Sequence, residues 1–382
     1  MQAMDSATSQ INQLSERIRA AASDKTPLRI CGGGSKDFYG LRLQGEPLST
    51  RALSGIVSYE PSELVVTVRA GTPLAELEAT LASQGQCLAF EPPHFGEGST
   101  VGGMVAAGLS GPSRASVGAV RDFVLGLEMI NGQGELLRYG GQVMKNVAGY
   151  DVSRLMTGSW GTLGLITEIS LKVLPMAPAE ATLRFDSCSQ EQALDWLNHW
   201  GGQPLPLNAS NWLEEDGKGT LYLRLRGARA AVQAATLRLG GQRLDSDAVA
   251  ADWNASRDLS LPWFQQRAAD RCLWRLSVPA TAAPLPLPQG AAGPLIDWHG
   301  AQRWVQAPRS AAAALQQLAQ AAGGSASLFK AEDANQTSAN SDLDVHAQAS
   351  PAGRTSAQLH ARLKQAFDPA GILNVGRLSA HW

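Results

Sequence analysis

Apolar residues at positions 11, 14, 18 and 21 recur at helical spacing, which predicts an amphipathic helix over residues 10–22. Short apolar runs at residues 28–31, 56–59 and 64–68 then read as strands, with Pro61 marking a turn between the last two. Thr72, Pro73 and Gly85 are placed to cap, open and stop a second helix. Residues 87–90 read as a strand, residues 100–107 as a short helix ending at Gly108, and residues 122–130 and 135–139 as a hairpin around the turn 131–134. Asp151 is placed to cap another short helix. From residue 179 the texture changes. Strands at 182–185, 220–225, 272–278, 294–298, 303–305 and 327–330 alternate with helices at 191–200, 228–239 and 311–321, which suggests an antiparallel sheet with helices on one face. A polar stretch, 331–354, reads as a mobile connection to a last helix over 356–367. The fold class expected is α+β, with a first domain over 1–178 and a smaller one over 179–382 whose closing segment, 367–378, returns to the first.

Composition mainly excludes. The chain of 382 residues is long enough for two cores. With 17% charged residues and a net charge of −2, nothing favours nucleic acid or an anionic membrane surface. No apolar run approaches the roughly 18 residues of a membrane span. The first residues, MQAMDSATSQINQ, lack the basic start and apolar core of a signal peptide, so a cytoplasmic protein is expected. Cys31, Cys87, Cys188 and Cys272 are scattered without a CxxC pair, which argues for free thiols and against a zinc ribbon or an iron–sulfur cluster. The N-x-S/T triplets at Asn208, Asn254 and Asn335 read as chance matches.

Chemistry is concentrated in glycine. Residues 91–122 (EPPHFGEGSTVGGMVAAGLSGPSRASVGAVRD) interleave seven glycines with hydroxyls, a composition that lets backbone N–H groups converge on an anion. Candidate ligand contacts there are Gly98, Ser99, Thr100, Gly102, Gly103, Ser110 and Gly111. Upstream, the strand 28–31 runs directly into Gly32, Gly33, Gly34, Ser35 and Lys36, a second candidate nest. Downstream, GSWGTLGLITEI places Gly161, Gly164 and Ile166 at the entry to an apolar strand. Three such segments around one ligand suggest an extended cofactor with a pyrophosphate in its middle. A nicotinamide-binding Rossmann unit is the competing reading, because Gly96, Gly98 and Gly102 nearly match G-x-G-x-x-G and Asp122 follows at a plausible distance. Pro92 and Pro93 break the strand-to-loop link, and the helix stops too soon for a crossover.

The order and wording of these segments resemble the FAD-binding domain of the vanillyl-alcohol oxidase type, also called PCMH-type. The resemblance covers about the first 178 residues, and it implies FAD on the residues just named. KNVAGYDVSRLMTGSWGTLGLITEI resembles the family segment that leads into its last flavin-contacting strand, with Lys145 a candidate near phosphate and Tyr150 near the ring, although solvation and packing serve equally well. Many members tether the flavin through a histidine after the first glycine loop. Lys36 stands there, so non-covalent FAD is implied. FDPAGILNVGRL resembles the family's closing segment, with Val375 in place of its usual proline.

Members that oxidise 2-hydroxy acids alone carry a His-x-Gly-Asp-Gly-Asn metal motif, which this sequence lacks. Its six histidines occur singly. His299, in DWHG, reads as a strand-end surface residue rather than a base, and His94 as structural. No catalytic residue and no metal ligand is assigned. The short second domain, the missing motif and the closing LNVGRL are most similar to the E-subunit family of bacterial glycolate oxidases (glycolate dehydrogenases). That resemblance implies an FAD-binding subunit of a complex oxidising glycolate to glyoxylate, with D-lactate as an alternative substrate. Its implied partners are a larger FAD-containing subunit and an iron–sulfur subunit, through which it could sit at the inner membrane. A non-catalytic subunit with structural FAD and a free-standing oxidoreductase of small alcohols stay open. Nine of the ten tryptophans lie beyond residue 179, as a core or as a partner surface, with Trp298 and Trp304 the first candidates for the latter.

Overall fold

The computed structural model describes residues 2–40, 43–141, 150–244, 247–332 and 351–379. It comprises two compact units: Met1–Leu109 with Ala119–Pro175 and Asn340–Trp382, and Ser110–Gly118 with Met176–Ala339. The polar stretch expected to be mobile falls largely outside the described residues, as does Lys145.

The first unit opens with a helix, Gln2–Asp24, longer than its apolar spacing predicted. Ile11, Ile18 and Ala21 pack from it against Leu28, Leu48, Ile130, Leu165, Ile372 and Leu373, joining distant parts of the chain in one core. Strand Leu28–Cys31 pairs in parallel with Glu46–Ser49, a strand not anticipated. A five-stranded antiparallel sheet runs in the order Ile56–Glu60, Val65–Arg69, Leu165–Lys172, Val124–Ile130, Leu136–Gly140. Helix Leu74–Ser83 begins one residue later than expected, with Pro73 at the N-cap position. Thr72 does not cap it, because its Oγ1 is held by Gly55 N at 2.9 Å and donates to Arg69 O at 2.8 Å. Residues 87–90 form only the edge of a two-residue strand, Gln86–Cys87.

Helix Val101–Ala107 matches its sequence signals closely. Thr100 caps it through Oγ1, and Gly108 ends it at φ 63°, a left-handed geometry that favours glycine. Asp151 caps Val152–Met156 by accepting from Arg154 N at 3.1 Å. Asp122 accepts from Ala119 N at 2.9 Å, a turn contact that leaves it no ribose role.

The second unit is an eight-stranded antiparallel sheet. On one face, Leu183, Leu221, Leu223 and Leu225 meet Ala193, Leu194, Leu197 and Trp200 of helix Gln190–Gly201. That helix starts at a reciprocal capping box, Ser189 with Gln192. Strand Leu207–Glu215 and helix Asp247–Arg257 were not anticipated. Residues 110–118 group with this unit, contrary to the expected boundary, because Gly111 O accepts from Trp298 Nε1 at 2.9 Å and Ser116 Oγ lies 3.0 Å from His299 Nε2. Trp212, Trp274 and Trp304 are core residues, so Trp304, 3% exposed, is no partner-contact candidate.

Candidate active site

The first glycine loop leaves strand Leu28–Cys31 and meets the backbone of Gly98 and the side chain of Thr100. A Cβ on Gly33 would lie 1.3 Å from Gly98 O, and one on Gly32 2.3 Å from Thr100 Oγ1. These glycines let two chain segments meet. Gly102 likewise packs on Ala70, and Gly164 on Met129. Gly103 differs: a Cβ there would meet only Oγ1 of its own cap, Thr100, at 3.1 Å.

Together these segments line an open cleft, the concave form that small-molecule sites take. Its wall takes in the loop Gly32, Gly33, Gly34, Ser35 and Lys36, then Thr100, Gly102 and Gly103, and finally Gly161, Gly164 and Ile166. Gly98 and Ser99 stand behind this wall, the first against Gly33, the second accepting from Lys36 Nζ at 3.0 Å. Ser110 and Gly111 are not among the lining residues and belong to the other unit. Tyr150, expected near the ring or packed, is 96% exposed. His94 holds Glu78 at 2.9 Å through Nε2, a structural contact.

Among the lining residues missed are two from the closing segment, Asn374 and Arg377. Asn374 Oδ1 accepts from Ile30 N at 2.7 Å while its Nδ2 donates to Trp160 O at 2.6 Å, which ties the first and third walls together. Arg377 is 5% exposed and donates to Lys36 O at 2.7 Å, with its guanidinium 5.1 Å from the Trp160 ring centre. Burial lowers its pKa to about 10, so it remains cationic at neutral pH. The closing LNVGRL was the available signal, but sequence order alone could not say which of its side chains turns inward.

The cleft fits FAD on its donor chemistry. Among the described residues, the backbone N–H groups of Gly32, Gly33, Gly34 and Ser35 find no protein acceptor. Consecutive free donors of this kind form an anion nest, suited to a pyrophosphate. Ala70, Ala106, Ala107 and Ile166 supply apolar wall for a flat ring system.

The second unit carries a polar cluster of its own. His299 is not the surface residue expected: its Nδ1 lies 3.1 Å from Ser210 Oγ, its Nε2 3.0 Å from Ser116 Oγ, and burial lowers its pKa to about 4. Trp298 and His299 both adopt left-handed φ, 52° and 54°, a strain of order 1–3 kcal/mol per residue that tends to gather at functional sites. Arg114 stacks over Trp298 at 4.4 Å. Asp297, fully buried, accepts from Asn211 Nδ2 at 2.8 Å and Trp304 Nε1 at 2.9 Å, and desolvation raises its pKa to about 6.

The cleft and its two-part fold define an FAD-linked flavoprotein, and residues 7–140 match the FAD binding domain family. The chain is 43% identical over 367 residues to glycolate oxidase subunit GlcE of Escherichia coli (strain K12), covering 96% of this chain and 97% of that one. It therefore belongs to the glycolate oxidase subunit GlcE family, and it is an FAD-binding oxidoreductase subunit. Glycolate oxidase subunit GlcD of Bacillus subtilis (strain 168) is 34% identical over 155 residues, 40% of this chain and 32% of that one. Among solved structures, 4-ethylphenol oxidase from Gulosibacter chungangensis superposes with a TM-score of 0.69 at 13% identity, covering 97% of this chain and 87% of that one. An alkyldihydroxyacetonephosphate synthase gives 0.62 at 16%, covering 94% and 73%. These two speak to the fold alone.

Proposed function

We propose that this chain is the FAD-binding subunit of a complex that oxidises glycolate to glyoxylate, together with a larger FAD-containing subunit and an iron–sulfur subunit. The observation that carries the reading is likeness over nearly the full length to a glycolate oxidase subunit, combined with a cleft whose free donors suit FAD. FAD, when bound, supplies the electron chemistry, and the protein binds and orients it. Lys36, in place of a tethering histidine, makes the attachment non-covalent. Its ammonium lies within reach of Ser35 Oγ, Ser99 Oγ and His94 O, which fixes it beside the cleft.

Oxidising a 2-hydroxy acid further requires a cation for the carboxylate and a base or metal for the hydroxyl proton. Among the described residues no group of three His, Cys, Asp or Glu could hold a metal ion. The subunit reading therefore assigns substrate chemistry to the larger partner.

Purified alone, the chain is expected to be yellow, to release its FAD on acid denaturation, and to show no glycolate-dependent bleaching. Bleaching and dye reduction appear once the larger flavoprotein and the iron–sulfur subunit are added. Glycolate turnover by the isolated chain would sink this reading.

A further inference from the structure

Arg377 and Lys36 are both buried beside the cleft, 5% and 7% exposed, and are joined by a hydrogen bond from the guanidinium to the Lys36 carbonyl. A guanidinium taken out of water would normally have an acid buried with it. Among the described residues, the hydrogen-bond acceptors of Arg377 are carbonyl oxygens, Lys36 O and Asp37 O at 3.4 Å, and it makes no ion pair. The charged and titratable groups near it are Lys36, Asp37, Tyr39 and Arg29, and Asp37, the one carboxylate in the set, is exposed to solvent. Trp160, stacked on Tyr39 at 4.4 Å, covers one face of the guanidinium. The geometry thus holds a positive charge rigidly at the cleft wall, beside the four free backbone donors of the first glycine loop.

We infer that Arg377, carried in by the closing segment, neutralises a negative charge of the bound FAD. Two parts of FAD carry such a charge: the pyrophosphate, and the ring once it is reduced. The inference rests on this chain binding FAD, and wild-type binding is the control for that. Apoprotein of the full chain, wild type, Arg377→Met and Arg377→Lys, is titrated with FAD, with riboflavin and with inorganic pyrophosphate. Arg377→Met is expected to weaken FAD binding by about 10- to 100-fold and to flatten its dependence on salt, while Arg377→Lys stays within a few-fold of wild type. If the pyrophosphate is the target, pyrophosphate alone raises the melting temperature of wild type but not of Arg377→Met, and riboflavin binds both equally. If the reduced ring is the target, FAD binding changes less and the flavin midpoint potential of Arg377→Met falls instead. A folded Arg377→Met with wild-type FAD affinity, salt dependence and potential overturns the inference. Should Arg377→Met fail to fold, Arg377→Gln replaces it. Failure of all neutral variants while Arg377→Lys folds without FAD would assign the residue to the fold instead, and overturn it likewise.

Discussion

Gly33 and Gly103 look alike in the sequence and do different work. At Gly33 any side chain runs into the Gly98 carbonyl, so the cost falls on the fold. At Gly103, which lines the cleft, an added Cβ meets only the Thr100 hydroxyl, at 3.1 Å, so less of the cost falls on the fold and more on the ligand. Gly103→Val is expected to reduce FAD affinity by 10-fold or more, about 1.4 kcal/mol or above, with the melting temperature of the apoprotein nearly unchanged. Gly33→Val should lower apoprotein stability itself by about 2–4 kcal/mol. Urea unfolding without FAD, set beside FAD titration, separates the two. The glycine clusters were legible because few other functions demand so many residues without a Cβ. Which glycine faces a ligand and which a neighbouring backbone was not, because that depends on what lies opposite.

Asp297 and His299 make a second argument at this scale. Asp297 titrates near 6 in the folded chain, above the ordinary 3.8, so the folded state holds its proton more tightly. Its contribution to stability rises as pH falls from 6 towards 4. His299 titrates near 4, below the ordinary 6.5, so the folded state resists taking a proton, and its contribution is lost over the window from 6.5 down to 4. The two trends oppose one another. We expect the stability advantage of wild type over His299→Gln to shrink between pH 6.5 and 4.5, and its advantage over Asp297→Asn to grow, as read from urea midpoints. Parallel curves for wild type and both variants would refute the burial of either group.

Among the elements, the closing segment does most to build the site. Helix Pro351–Phe367 ends in a buried pair, Lys364 with Asp368 at 2.7 Å, and Lys364 Nζ also donates to Thr162 O and Leu373 O, both at 2.8 Å. Asp368 in turn accepts from Ile372 N and Leu373 N. This clamp sets the path by which Asn374 and Arg377 reach the cleft. Lys364→Met would leave the Asp368 carboxylate, 1% exposed, without its partner, and a loss of about 3–5 kcal/mol is expected, with weaker FAD retention. Adding Asp368→Asn should recover part of it, a coupling that a double-mutant cycle measures. The helix was anticipated over 356–367 and begins earlier, at Pro351, within the stretch read as a mobile connection. The clamp was not, since an i, i+4 Lys and Asp look like a solvated surface pair until burial is known. Strand Leu207–Glu215 escaped notice for a related reason: its polar Asn208, Ser210 and Asn211 are buried, which breaks the alternation that marks a half-exposed strand.

For the whole molecule, the antiparallel sheet of the second unit was read correctly, but helices were expected on one face only, whereas Trp253 of helix Asp247–Arg257 packs on Thr182 and Arg224, opposite the face of Leu183 and Leu223. Its tryptophans were ambiguous in the sequence. Five of them, Trp200, Trp212, Trp253, Trp274 and Trp304, are buried, and Trp253 and Trp304 spend their indole N–H on Thr182 and Asp297. Trp304→Ala would therefore report on folding rather than on a partner.

The first unit is assembled from three stretches of chain, and the pair that completes its cleft, Asn374 and Arg377, follows the second unit in sequence. During synthesis the glycine loops emerge early, but the staple from Asn374 to Ile30 and Trp160 cannot form until the intervening 164 residues, Met176–Ala339, have been made. A nascent chain stalled before residue 368 would carry the glycine loops and the second unit, yet would hold flavin poorly. Cofactor loading is thereby placed after synthesis of the second unit, and a chain cut short before residue 368 is marked by its lack of colour.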